Sequence, residues 1–182
     1  MKVAFLDRDG VVNEYPGNGE YVKNWKEFKF IPGSTEGIKN LHRCGFKIFI
    51  ISNQAGVAKG IYRQKDLDKI NKKMQSHFKK NGVSLSGIYC CTHLVEDNCA
   101  CRKPKIGLLD KAVSELGANP QVSFFIGDSF VDMKAARSFG AKPILVLSGK
   151  EKISNRNNWE FEPDYVFDNL LIAAHYLCSR HE

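Results

Sequence analysis

Asp7 and Asp9 close the apolar run Val3-Ala4-Phe5-Leu6, with Arg8 between them and Gly10 directly after. Extended chain repeats every two residues, so both carboxylates project to the same side where such a strand ends. Two carboxylates held side by side repel each other unless a cation lies between them. Hard oxygen donors of this kind suit Mg2+, which binds few carboxylates and keeps room for waters and a substrate phosphate. Gly10 admits backbone N–H groups close to an anion. Further residues with chemistry follow downstream. Ser52 ends Ile48-Phe49-Ile50-Ile51, Lys103 sits in Arg102-Lys103-Pro104-Lys105, and Asp128 and Asp132 follow Ser123-Phe124-Phe125-Ile126. Each has a plainer reading when taken alone. Ser52 can be a turn residue, Lys103 a surface lysine, and the acid pair a helix start favoured by the macrodipole. Together they describe phosphoryl transfer, which needs charge neutralised and groups aligned.

A second constellation is Cys91-Thr92-His93, then Cys99-Ala100-Cys101, directly ahead of Arg102-Lys103-Pro104. Three thiolates and one imidazole suit tetrahedral zinc. The C-x-H and C-x-C spacing is less diagnostic than C-x2-C, and free thiols are the competing reading. The intervening Glu, Asp and Asn residues cannot fold by apolar burial, so a metal there would fix the loop that presents Lys103. With all four ligand positions filled by protein, the zinc would be structural.

The elements that must position these groups alternate strand and helix. Apolar spacing predicts strands near 3–6, 47–51, 88–91, 123–126, 144–147 and 165–167. Helices are expected from Ser34, as N-cap, to Cys44, over 64–80 and 107–116, near 132–139, and after an Asp168 cap. Ile38 and Leu41 face inward in the first, and Leu67, Ile70, Met74 and Phe78 in the second. That alternation implies an α/β fold, a Rossmann-like, mostly parallel sheet with helices on both faces. Ligands of such sheets bind at the carboxyl ends of strands, where the acids, Ser52 and Asp128 fall. Residues 11–33 are rich in Gly, Pro, Asn and aromatics and read as an ordered flap leaning over the site.

The combined set resembles the four motifs of the haloacid-dehalogenase superfamily of phosphohydrolases, over Val3 to about Leu147. Within it, Phe5–Asn13, Ser52–Gly60, Cys101–Lys105 and the cysteine loop resemble the histidinol-phosphate and heptose-bisphosphate phosphatases. The resemblance implies Asp7 as nucleophile forming an aspartyl-phosphate and Asp9 as general acid, then base. Ser52 and Lys103 would stabilise the phosphoryl group. Asp7, Asp128 and the backbone carbonyl of Asp9 would hold Mg2+, with Asp132 behind them, and Cys91, His93, Cys99 and Cys101 would hold Zn2+. Substrate contacts carry over to Asn53, Gln54, Arg102 and Tyr21. No gap between motifs is long enough for a cap domain, so a capless single phosphatase domain spanning 1–182 is expected. Glu20-Tyr21-Val22 and Phe28–Gly33 are similar to the heptose branch, which removes a 7-phosphate. The flap here carries an extra Pro16-Gly17-Asn18-Gly19, and the cysteine loop is short.

Composition sets the remaining bounds. A length of 182 residues, with 43% hydrophobic and 26% charged residues, suits a globular domain with a full core. No apolar run is long enough to cross a membrane and none resembles a signal peptide, so a cytoplasmic location and no membrane partner are expected. The net charge is +7, and residues 59–80 hold eight Lys or Arg against Asp66 and Asp68. This reads as the solvated face of a helix with mild attraction for anionic substrate, not as a nucleic-acid surface. Cys44, Cys90 and Cys178 read as isolated buried thiols, because a disulfide framework is not expected without secretion. A monomer acting on a small sugar phosphate is the expectation. Two other readings stand beside it: a histidinol-phosphate phosphatase, and a non-catalytic zinc-stabilised module binding nucleic acid or protein.

Overall fold

The computed structural model describes residues 1–117 and 119–180. Six strands run β1 (Lys2–Leu6), β2 (Phe46–Asn53), β3 (Gly87–Cys91), β4 (Val122–Gly127), β5 (Lys142–Val146) and β6 (Tyr165–Phe167). Five helices intervene: α1 (Ser34–Arg43), α2 (Gln64–Lys80), α3 (Gly107–Leu116), α4 (Phe130–Phe139) and α5 (Leu170–Arg180). The strands form one parallel sheet in the order β3-β2-β1-β4-β5-β6. The order reverses between β1 and β4, and ligands of open α/β sheets bind at such a switch point. The expected Rossmann-like parallel fold is therefore the one observed.

The period of two in β1 divides the core. Ala4 and Leu6 face α1, α2 and α5 with Ile48, Ile50, Phe124 and Ile126. Val3 and Phe5 face α3 and α4 with Phe49, Ile51 and Phe125. Both faces are sealed, which is why these central strands read as continuous apolar runs. Among the described residues no helix is long and apolar enough to cross a membrane.

Several local expectations change. Gly33, at φ +82°, takes the N-cap position of α1, and the Ser34 hydroxyl donates to the Val12 carbonyl at 2.8 Å. Asn169, not Asp168, caps α5, accepting from the Ile172 N–H at 3.2 Å. A 3-10 turn over Ile153–Asn158 was not foreseen, and α4 begins two residues earlier than expected. Cys44 and Cys178 are not isolated thiols. They form a disulfide between the end of α1 and the last turn of α5. Gly37 brings the two helices together, since a Cβ there would lie 3.1 Å from the Leu170 carbonyl oxygen. Nothing local in the sequence marks a pairing across 134 residues.

The 11–33 segment is ordered, but its aromatics do different work from that expected. Trp25 stacks on Phe28, Phe30 meets both edge-on, and Phe30 stacks on His77 of α2 at 4.1 Å. They anchor the base of the segment. Its tip, from Tyr15 to Tyr21, lines the site, and Asn13 at its start holds Asp9.

Candidate active site

At the carboxyl ends of β1, β2 and β4 lies a cleft of about 240 Å³. Asp7, Asp9, Ser52, Asn53, Arg102, Lys103, Asp128 and Tyr21 all line it, as do Asp132 and Lys150. Gln54 does not. A larger hollow of about 570 Å³ beside α2, with His42, Lys72 and Lys79 among its walls, is lined by no carboxylate.

Asp7 follows β1 directly, and its N–H extends the pairing with β4 by donating to the Ile126 carbonyl at 3.0 Å. Carboxylate oxygens of Asp7, Asp128 and Asp132 lie within 4.8 Å of one another. Lys103 reaches among them, with Nζ 3.0 Å from Asp7, 2.6 Å from Asp132 and 2.8 Å from the Ile51 carbonyl it donates to. Burial disfavours the ammonium, yet Asp132 and Asp7 outweigh it and raise the lysine above its ordinary value. Burial pushes Asp7 up to about 6, against the pull of Lys103, while Asp132 and Asp9 add to the rise. Burial and the charges of Asp7 and Asp132 also raise Asp128 well above the carboxylate range. One lysine cannot neutralise three acids, two of them buried and Asp7 half-buried. The cluster therefore fits a divalent cation bound by hard oxygen donors.

Glycines make this crowding possible. A Cβ on Gly10 or Gly149 would lie 2.1 or 2.0 Å from Asp128 Oδ2, and one on Gly127 would lie 2.3 Å from the Asp132 Cβ. Gly10 thus makes room for a carboxylate instead of offering its N–H to an anion; that N–H donates to the Asn13 carbonyl at 2.7 Å. The Lys150 N–H holds Asp128 Oδ2 at 2.7 Å, and Ser129 Oγ donates to Asp132 at 2.7 Å.

Asp9 is held by a separate set of donors. Arg8 Nε and Nη2 donate to it at 3.0–3.1 Å, and Asn13 Nδ2 and Gln54 Nε2 at 2.8 Å. Arg8 has no exposed surface and also donates to Gln54 Oε1 at 3.0 Å. Gln54, expected as a substrate contact, is buried behind the cleft with its amide engaged. Nε2 donates to Asp9 and to Ser52 Oγ, and Oε1 accepts from Arg8 and from the Tyr62 hydroxyl at 2.7 Å. Asn53 lines the cleft but clamps the Lys103 backbone, Nδ2 to its carbonyl and Oδ1 to its N–H, both at 3.1 Å. Reading the sequence missed Arg8, Asn13 and Tyr62. The position of Arg8 between two acids was an available signal. Tyr62 carried none.

Beyond Lys103, ligand atoms of Cys91, His93, Cys99 and Cys101 also converge within 4.8 Å. Sulfur–sulfur distances are 3.2–3.6 Å, and His93 Nδ1 lies 3.2 and 3.6 Å from two of the sulfurs. Zn–S bonds of about 2.3 Å in a tetrahedron set sulfurs roughly 3.7 Å apart. The cluster has the donors and nearly the dimensions of such a site. Cys91 is the last residue of β3 and lies in register with Asn53, so the loop is anchored beside the residue that clamps Lys103. Arg102 Nη1 donates to the His93 carbonyl at 3.3 Å.

The sheet order and the acid cluster at its carboxyl edge define a haloacid-dehalogenase-like hydrolase, and a family model described as HAD-hydrolase-like matches residues 100–173. A D-glycero-beta-D-manno-heptose-1,7-bisphosphate 7-phosphatase of Neisseria meningitidis serogroup A is 32% identical over all of this chain and 97% of its own length. One from Helicobacter pylori is 41% identical over 80% of this chain and 83% of its own. The crystal structure of the D,D-heptose 1,7-bisphosphate phosphatase from B. bronchiseptica, complexed with magnesium and phosphate, superposes with a TM-score of 0.90. It is 30% identical and covers 99% of both chains. The chain belongs to this heptose-bisphosphate phosphatase family of haloacid-dehalogenase-like hydrolases.

Proposed function

We infer that the chain is a Mg2+-dependent phosphomonoesterase that removes the 7-phosphate of D-glycero-beta-D-manno-heptose 1,7-bisphosphate, acting as one catalytic domain in the cytoplasm. The observation that carries this is the Asp7, Asp128 and Asp132 cluster with Lys103 among them. Relatives bearing that activity in their names, matched along most of the chain, supply the substrate. Asp7 and Asp128, with the backbone carbonyl of Asp9, would hold Mg2+, which neutralises phosphoryl oxygens and keeps Asp7 ionised. Asp132, ion-paired to Lys103, positions that lysine.

Asp7 attacks phosphorus, the bond from phosphorus to the sugar oxygen breaks, and a proton from Asp9 passes to that oxygen. Asp9 then takes a proton from the water that attacks the aspartyl-phosphate, and phosphate leaves with Asp7 restored. Ser52 and Lys103 bear on the phosphoryl oxygens, and Arg102 and Tyr21 on the rest of the substrate. Gln54 and Asn53 serve behind this set, one orienting Asp9, the other Lys103. Cys91, His93, Cys99 and Cys101 would hold one structural Zn2+ that keeps Arg102 and Lys103 in place. The test compares kcat/KM for the heptose bisphosphate and for histidinol phosphate, with and without Mg2+. Preference for the heptose, dependence on Mg2+ and loss of turnover in Asp7→Asn are expected. Appreciable hydrolysis by Asp7→Asn refutes the nucleophile, and preference for histidinol phosphate refutes the substrate.

A further inference from the structure

The geometry points to Tyr62 as a positioning residue for proton transfer, acting on Asp9 through Gln54; this rests on the reading of Asp9 as the general acid. Tyr62 lies outside the motifs and does not line the cleft. Its ring is almost fully buried, packed on Gly56, where a Cβ would come within 2.2 Å of it. A buried phenol needs a partner for its hydroxyl, and the partner here is Gln54 Oε1 at 2.7 Å.

That bond, together with the one from Arg8, sets which way the Gln54 amide faces. An amide turned by half a rotation presents oxygen where nitrogen was. Two donors, the Tyr62 hydroxyl and Arg8 Nη2, meet Oε1. The amide nitrogen must then face Asp9 and Ser52, to which it donates at 2.8 and 3.0 Å. A turned amide would set its oxygen against the Asp9 carboxylate and the acid would shift. General acid catalysis depends on hydrogen-bond reach to the leaving oxygen, so a displaced Asp9 slows the step that needs its proton. Tyr62 does not touch Asp9; its ring pairs with that of Tyr21, a cleft residue, at 6.1 Å. Tyr62→Phe keeps that ring contact, so what it removes is the effect that passes through the amide.

The proposal separates from plain packing by the leaving group. A sugar alkoxide leaves only if protonated, whereas 4-nitrophenolate leaves without a proton. Tyr62→Phe keeps the ring and removes the hydroxyl. Loss of one orienting hydrogen bond should lower kcat/KM for the heptose bisphosphate about 10-fold, while that for 4-nitrophenyl phosphate stays within about 2-fold. Any share acting through Ser52 falls on both substrates alike, so the ratio of the two constants is the readout. Gln54→Met, which keeps length and drops the amide, should shift the ratio further in the same direction. If both constants fall together, or neither changes, in Tyr62→Phe, Tyr62 is packing only and the inference is overturned. Should Tyr62→Phe fail to fold, the same ratio in Tyr62→Met, which also removes the hydroxyl while filling the space, decides. Asp9→Asn is the control for the underlying reading. If it shows no leaving-group dependence, the general-acid assignment itself fails; if it does and Tyr62→Phe does not, only the role of Tyr62 fails.

Discussion

Gly149→Ala adds one methyl group and tests whether the acid cluster is set by missing atoms. The Cβ would stand 2.0 Å from Asp128 Oδ2 and 2.6 Å from its Cβ and Cγ, where ordinary contact begins at 3.4 Å. Gly149 lies outside the left-handed region, so alanine brings crowding without backbone strain. To restore contact distance the carboxylate must retreat by about 1.4 Å, and it cannot do so without leaving the Lys150 N–H that holds it at 2.7 Å. Misplacement by ~1 Å in a reacting constellation costs on the order of 100-fold in rate, or about 2.7 kcal/mol of barrier. Because Asp128 is a proposed Mg2+ ligand, part of that loss should be recovered as Mg2+ is raised. The assay is initial rate against Mg2+ concentration at saturating substrate, with a far-UV spectrum to show the fold intact. A folded Gly149→Ala with the native rate and native Mg2+ requirement would refute the reasoning, since the carboxylate would then have space that the structure does not show.

Cys99→Ser should lower zinc content from one per chain and reduce kcat on the order of 100-fold with the far-UV spectrum nearly unchanged, because the loop carrying Arg102 and Lys103 lies outside the core strands. A fully active protein without zinc would make the cysteines bystanders. Cys44→Ser opens a covalent loop of 134 residues far from the cleft. It should cost about 2–4 kcal/mol and on the order of 10 °C in Tm while leaving kcat unchanged; equal melting temperatures would show the bond adds no stability. The Asp7 carboxyl, raised to about 6, gives a pH dependence of definite sign. Between its ordinary value of 3.8 and about 6 the folded metal-free protein holds a proton that the unfolded chain has lost. This contribution therefore weakens stability as pH rises through that window. Mg2+ binding near pH 6 should release protons, and less so at pH 8, measured by titration calorimetry in buffers of differing ionisation enthalpy. Equal proton release at both values would contradict a raised Asp7.

What could be read from the residues was whatever a short stretch encodes. Val3–Leu6 ending in Asp7, and Ser123–Ile126 ending near Asp128, announce strands whose carboxyl ends carry acids, and strand alternation places those ends together. Leu67, Ile70, Met74 and Phe78 state their helix by spacing, and α2 follows it to the residue. What could not be read depends on partners distant in sequence. Gly149 looks like a turn glycine until Asp128 is beside it. Gln54 sits within a motif that suggests substrate contact, yet Arg8 and Tyr62 claim its amide from behind. Cys44 and Cys178 meet only because α1 and α5 pack across Gly37. The N-terminal boundaries of α1 and α5 were misread by one residue each. Ser34 and Gly33, like Asp168 and Asn169, are adjacent residues that can each begin a helix, and tertiary contacts chose between them.

The strand order has a consequence for how the chain is made. β1 is translated before the other five strands yet ends up in the middle of the sheet, between β2 and β4, and β4 begins more than a hundred residues later. Until β4 emerges from the ribosome, one edge of Val3–Leu6 has no native partner and its apolar side chains have half their cover. Asp7 meanwhile has neither Asp128 nor the Lys150 backbone that completes the pocket. Sequence separations of this size slow folding and leave apolar edges open to other chains. Nascent and prematurely terminated chains should therefore be clients of holding chaperones, and no N-terminal fragment ending before β4 should turn over substrate. Catalysis waits until β4 and the turn carrying Lys150 have been made.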